Sequence, residues 1–345
     1  MAKSHGVTFH HNHDQFNSCM LPIPVSFGER PRRSFSRKQS RRSVVDALLQ
    51  RSRITNLGVV LLAAFAVLSF LYNLRCYVSE GYSGAAPPRS ILATISRQDA
   101  EELNHLVIVP GHSIWTGHNA DERLNEDDWI LESYQRGGRV AAFYNHIAKG
   151  AEIAVKDPHS LLVFSGGQTR LSSTTTEAES YMRLALKSNA FNLSSPQTLF
   201  PRATTEDFAL DSFQNLLFSI ARFYEYTGRY PERITVVGYE MKRRRFVELH
   251  RAALHWPIDR FHYLGADPYG EEGVQAQEGE NKNGYLPYLE DYYGCHSYLL
   301  AKRRQRNPFR RFHPYYASAP GLRGLFDWCP DKPTMPFEGT LPWST

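Results

Sequence analysis

Between Leu106 and Gly265 short apolar runs alternate with long amphipathic stretches, and this alternation restricts the fold more than any other feature of the chain. The runs "LVIVP" (106–110), "LLVF" (161–164), "QTLFP" (197–201), "RITVVG" (233–238) and "FHYLG" (261–265) read as strands. Helices are expected over 129–153, through "EAESYMRLALK", through "FALDSFQNLLFSIARFYEY" and through "KRRRFVELHRAAL". A strand, a helix and a second strand connect as a right-handed crossover, so the expectation is α/β: a doubly wound, mostly parallel sheet with helices on both faces. With 345 residues, 42% of them apolar, the chain can build one sizeable core.

Sheets of this kind hold ligands beyond the carboxyl ends of their strands, where loops enter helices. The first such loop carries Gly111 and His112. The second begins in "LLVFSGGQTR", where an apolar run stops at Ser165, Gly166 and Gly167. Glycines there are expected to bend the backbone and offer N–H groups to an anion, with Thr169 and Arg170 adding a hydroxyl and a fixed cation and Glu177 following in the next helix. The third, "TEDFALDSFQN", contains Glu206, then Asp211, Ser212 and Asn215 at spacings that share the end of a helix. The fourth, "GYEMKRRRF", contains Lys242 and Arg243 to Arg245, of which one or two can point inward.

Glu206, Asp211 and Glu177 are the catalytic candidates, as general bases. The ligand-holding candidates are Gly111, His112, Ser165, Gly166, Gly167, Thr169, Arg170, Ser212, Asn215 and Arg243. Taken singly, each has an ordinary alternative: a loop histidine bonded to backbone, a helix cap, a solvated arginine face. The functional case rests on the four loops converging. No HExxH, Cys-pair zinc pattern, GxGxxG, Walker loop or GxSxG elbow occurs, so no cofactor is specified; Glu206 with Asp211 would suit a divalent cation.

In this order, "VFSGGQTR", "TTEAESYM", "EDFALDSFQN" and "VVGYEMKRR" resemble the motifs of the SanA/ElyC/YdcF-like family, domain-of-unknown-function family 218. The likeness runs from about Leu106 to Leu264. It implies a Rossmann-like fold with a polar crevice and, carried over by position, site roles for Gly166, Gly167, Glu177, Glu206, Asp211, Ser212, Asn215 and Arg243. Bacterial members are linked to cell-envelope integrity; an amino-terminal anchor and an aromatic tail resemble the fungal branch. Ala209, Gln214 and Glu240 stand where the family carries Ser, Glu and His.

From Leu57 to Leu74 no charge interrupts an apolar run, and about 18 such residues suffice to cross a bilayer as a helix. Basic residues crowd before it, among them Arg30, Arg32, Arg33, Arg41, Arg42, Arg51 and Arg53, whereas Arg75 alone follows closely. That asymmetry predicts a single-pass type II protein whose amino terminus is cytosolic and whose main portion is lumenal, in the Golgi or endoplasmic reticulum. An Arg- and Ser-rich, acid-poor leader is alternatively a mitochondrial address. Residues 1–52 are expected to be a disordered basic tail, where His10, His11 and His13 are solvated or hold a metal and Ser34, Ser36, Ser40 and Ser43 suit a kinase. The remaining boundaries are a linker over 75–104, the family domain over 105–266 and an irregular extension over 267–345 packed on it.

Cys295 and Cys329 pair in an oxidising lumen or stay as separate buried thiols, and Asn192-Leu-Ser194 is a glycosylation sequon. The formal charge of +5 is small and its excess sits near the amino terminus, so no nucleic-acid partner is expected. The functional expectation is a membrane-anchored lumenal enzyme, a hydrolase or transferase acting on an anionic phosphorylated or nucleotide-type substrate. The alternative is a non-catalytic ligand-binding or scaffold protein of the secretory or envelope pathway.

Overall fold

The computed structural model describes residues 53–82, 92–95, 100–195, 200–267 and 272–344. The expectations for residues 1–52, including the histidine cluster and the four serines, lie outside the described residues. The chain divides into two compact units, Met1–Tyr72 and Asn73–Thr345.

Helix α1 (Arg53–Tyr82) contains one segment, Gly58–Tyr77, that is long and apolar enough to cross a membrane, with a mean hydropathy of 1.9. Within that segment the large apolar side chains, Leu62, Phe65 and Phe70 among them, are exposed. The helix runs past the expected span into 75–82, where no proline stops it.

In the second unit five parallel strands, β1 (His105–Pro110), β4 (Ser160–Ser165), β5 (Ala203–Glu206), β6 (Arg233–Gly238) and β7 (Phe261–Gly265), form one sheet in the order β5-β4-β1-β6-β7. Counted along the chain this is the 3-2-1-4-5 order of a Rossmann-like sheet, with the reversal between β1 and β6. β1 and β4 are buried along their whole length, because helices cover both faces. On one face Val107 and Val109 meet α2 (Arg139–Lys156) and α3 (Glu177–Lys187). On the other, Leu106 and Ile108 meet α4 (Ser212–Thr227) and the helix entered through Arg245–His250 and completed by α5 (Arg251–Ala253). Alternate residues of one strand thus feed two cores.

Three elements differ from expectation. Trp129–Ile130 pairs with Ile114–Trp115 as a small antiparallel ribbon, β3 on β2, and α2 starts only at Arg139 because Gly137 and Gly138 both adopt φ of 96°, a turn that the apolar count over 129–153 does not reveal. The third strand is Ala203–Glu206, not "QTLFP"; Phe200 instead stacks on Phe191, 4.5 Å between centroids. The helix after β6 is wound as π over Arg245–His250.

The extension belongs to the same compact unit as the sheet. It contributes α6 (Glu272–Glu280), α7 (Leu286–Glu290) and α8 (Ser297–Gln305), and buries Tyr315, Leu322, Leu341 and Trp343 in the α4 core. Ala100 and Leu103, at the end of the expected linker, are buried there too. Cys295 and Cys329 form a disulfide with Cα atoms 6.0 Å apart.

Candidate functional site

A cleft of about 930 Å³ opens at the carboxyl ends of the strands, across the β1–β6 reversal. Gly111 and His112 reach it from β1, Thr169, Arg170 and Glu177 from the loop after β4 and the start of α3, and Asp211, Ser212 and Asn215 from the start of α4. Lys242 and Arg245 reach it from beyond β6. The extension closes it with Glu280, Tyr288, Tyr298, Lys302 and Arg306. The four loops therefore converge; of the residues expected, Ser165, Gly166, Gly167, Glu206 and Arg243 do not line the cleft.

The glycines do not present their N–H groups to a ligand. Gly166 N–H donates to Glu206 O (2.9 Å), Gly167 N–H to Ala209 O (2.7 Å) and Gly111 N–H to Ser165 O (2.7 Å). Their role is clearance: a Cβ on Gly111 would lie 2.6 Å, and one on Gly166 2.8 Å, from Cβ of Glu177, and one on Gly167 would lie 2.9 Å from Ala209 O. Without side chains the start of α3 seats against the sheet. Thr176 caps that helix, accepting from Glu179 N–H (2.9 Å), and Glu177 projects to the cleft, where its Oε1 accepts from Thr169 Oγ1 (2.6 Å).

Glu206, expected as a base, is sealed beneath the cleft rather than on its wall, 1% exposed. Its oxygens meet Phe208 N–H (2.8 Å), Ser165 Oγ (2.7 Å) and Tyr315 Oη (3.2 Å). Burial raises its carboxyl to about 7. The geometry supplies a reason for the proton. Ser165 Oγ sits between Glu206 Oε2 and Asn215 Oδ1 (2.9 Å) with one hydrogen for two acceptors, so a protonated Glu206 donating to Ser165 satisfies the chain.

Asp211 accepts from Gln214 N–H (2.9 Å), capping α4, and pairs with Arg303 of α8. Its charge is already matched, which removes it as a free base and, with Glu206 buried elsewhere, dissolves the expected carboxylate pair for a divalent cation. Arg243 turns away from the cleft: its Nη2 donates to Glu240 Oε2 (2.7 Å) and its Nη1 to Tyr263 O (2.8 Å). Arg170 lies on the cleft wall but is paired with Glu132.

Besides Arg170 and Arg139, the cations that line the cleft are Lys242, Arg245, Lys302 and Arg306. Lys242 Nζ is 3.3 Å from Nδ1 of His112, whose ring stacks on Tyr239 at 5.0 Å. His112 is held well below the usual histidine range, by burial first and Lys242 second, so it is neutral and accepts from the lysine. Burial, then the charges of Arg245 and Arg306, lower Lys242 to about 7. Burial, then Arg306 and Arg245, lower Lys302 to about 8. Arg245 Nε lies 3.1 Å from Glu280 Oε1 without the alignment of a hydrogen bond.

Sequence reasoning named Lys242 within its loop but chose Arg243. The three-residue step from Lys242 to Arg245 and the four-residue step from Lys302 to Arg306 were available as helical faces; nothing in the text said that those faces meet.

The fold and site define a Rossmann-like α/β protein with a cation-lined cleft at its topological switch point and, among the described residues, one helix long and apolar enough to span a membrane. The chain is 31% identical over 264 residues to the uncharacterized protein YOR238W of Saccharomyces cerevisiae, an alignment covering 62% of this chain and 87% of the yeast protein, and it belongs to the family of that protein. No family model matches the chain, and no solved structure matches it.

Proposed function

We propose that the second unit binds a small anionic ligand, phosphorylated or of nucleotide type, in the cleft across β1 and β6, and acts on it as a hydrolase or transferase. The observation that carries this reading is the convergence of Lys242, Arg245, Lys302 and Arg306 on the cleft wall, where burial first and the two arginines second depress each lysine, against the opposing carboxylates of Glu280, Glu177 and Asp211. Such a cluster is costly empty and is relieved by an anion, which restores the lysine charges. Arginine forks and lysine point charges are also the donors suited to phosphate oxygens.

The test is calorimetric titration of the full chain in detergent with sulfate, pyrophosphate, nucleoside diphosphates and polyprenyl phosphates. Binding that disappears in Lys242→Met/Lys302→Met supports the reading; equal affinity in that double variant removes it. The scaffold alternative draws on a specific observation, the engagement of Glu206 and Asp211 by other protein groups, and it predicts ligand binding without turnover.

The same reading includes anchorage through α1 as a single-pass type II protein with the second unit in the lumen of the Golgi or endoplasmic reticulum. Its supports are the Cys295–Cys329 disulfide, suited to an oxidising compartment, and the exposed turn that carries the Asn192 sequon. It also includes kinship with the SanA/ElyC/YdcF-like family, supported by the ordered loop motifs on a Rossmann-like sheet. Glu240, at the family's histidine position, holds Arg243 here, so that imidazole's role has no counterpart at this position.

A further inference from the structure

Ser212 stands in the first turn of α4 on the cleft wall, and its Oγ lies 2.8 Å from Nε2 of His250. His250 is completely buried behind it, boxed by the rings of Phe213, Phe246 and Tyr288 at 5.8, 5.2 and 4.4 Å. Its Nδ1 has no hydrogen-bond partner among the described residues. Helix capping does not account for the pair, because Asp211 already caps α4. Nor does packing: an imidazole walled by three aromatic rings leaves one nitrogen unsatisfied, a cost that a phenyl ring would avoid. The nitrogen that is satisfied is the one aimed at a hydroxyl on the cleft.

Resting on the reading of the cleft as a phosphate site, we propose that Ser212 is a nucleophile toward phosphate esters or anhydrides and that His250 is its base. Ser212 Oγ forms a bond to phosphorus; the bond from phosphorus to the leaving oxygen breaks and its electron pair stays on that oxygen; the Ser212 proton moves to His250 Nε2 and from there to the leaving group. A water then attacks the phosphoserine, giving its proton to His250, which returns it to Ser212 Oγ as inorganic phosphate departs. The cations on the cleft wall supply the opposing charge. Burial first, and then the charges of Arg245 and Arg303, disfavour a proton on His250, and an incoming phosphate offsets the charge part of that cost. His250 is a residue that sequence reasoning passed over, being 38 positions from Ser212.

An alkyl fluorophosphonate tests the pair without knowledge of the substrate, because attack by an activated serine expels fluoride and leaves a stable adduct. The full chain in detergent is treated with it, and peptides are read by mass spectrometry. The expected result is an adduct on Ser212, absent in Ser212→Ala and formed about 100-fold more slowly in His250→Gln, the low end of what a positioned base contributes. No adduct on Ser212 of the wild-type chain overturns the proposal, and this arm needs no variant to fold. An unchanged labelling rate in a His250→Gln protein that still melts cooperatively also overturns it. Sulfate titration of the same wild-type sample separates the two readings: sulfate binding without labelling sinks the nucleophile alone, and labelling without sulfate binding sinks the anion site alone.

Discussion

Two ionisable side chains whose surroundings oppose their usual charge have measurable consequences. Glu206 has a folded pKa of about 7 against an ordinary 4.5, so its contribution to stability is fully present below about pH 4.5 and is lost as pH rises through 7. A shift of that size corresponds to about 3 kcal/mol. Urea midpoints of the wild-type chain are expected to fall between pH 4.5 and 7, and Glu206→Gln, which keeps a donor toward Ser165, is expected to flatten that slope. Lys242 behaves oppositely. Its folded pKa of about 7 lies below its ordinary 10.5, so the folded state is penalised at low pH and recovers as pH rises from 7 toward 10.5. An anion reverses this by drawing a proton onto the lysine. Sulfate, whose own charge is constant over this range, is expected to bind more weakly as pH rises between about 8 and 10, by about tenfold per pH unit for each lysine recharged, and Lys242→Met is expected to remove one such factor. These residue types were visible in the sequence. Their protonation was not, because it depends on neighbours more than 60 residues away, such as Arg306 for Lys242 and Tyr315 for Glu206.

The start of α3 and the start of α4 form opposite walls of the cleft by different means. α3 depends on clearance. Gly111→Ala and Gly166→Ala each press a Cβ into Glu177, and each is expected to cost about 1 to 3 kcal/mol in chemical denaturation, with retention of wild-type stability ruling out the packing argument. α4 depends on charge. Asp211→Asn retains an acceptor for the cap but leaves Arg303 buried without its partner, which is expected to cost about 3 kcal/mol and lower the melting temperature by about 10 °C. The strand-end loops were legible as loops because apolar runs stop at Gly and polar residues. Which of their groups face the cleft was not legible. "SGGQTR" reads as an anion cradle in isolation, and only the positions of Glu206 O and Ala209 O reveal that its N–H groups are taken.

At the scale of the molecule the extension is a working part of the sheet unit. Its Lys302, Arg306 and Glu280 line the cleft, its Arg303 neutralises Asp211, and its Tyr315 bonds to Glu206. A chain ended after Asp267 therefore exposes the α4 face that Tyr315, Leu341 and Trp343 cover, and is expected to lose cooperative unfolding. A sharp thermal transition for that truncation, matching the intact chain, would mean that the domain ends where the sequence alone suggests. What the sequence determined by itself is the alternation of parallel strands with helices, the apolar span within α1 and the strand-end loops that form the cleft, because hydrophobic period and chain-breaking residues are local properties. The tertiary structure decided the rest: that the glycines serve packing, that Glu206 is buried, that Lys242 and Arg245 face inward while Arg243 does not, and that Ser212 meets His250. Those outcomes follow from burial and from charges meeting across elements remote along the chain, and such distances are set only when the sheet closes on its helices.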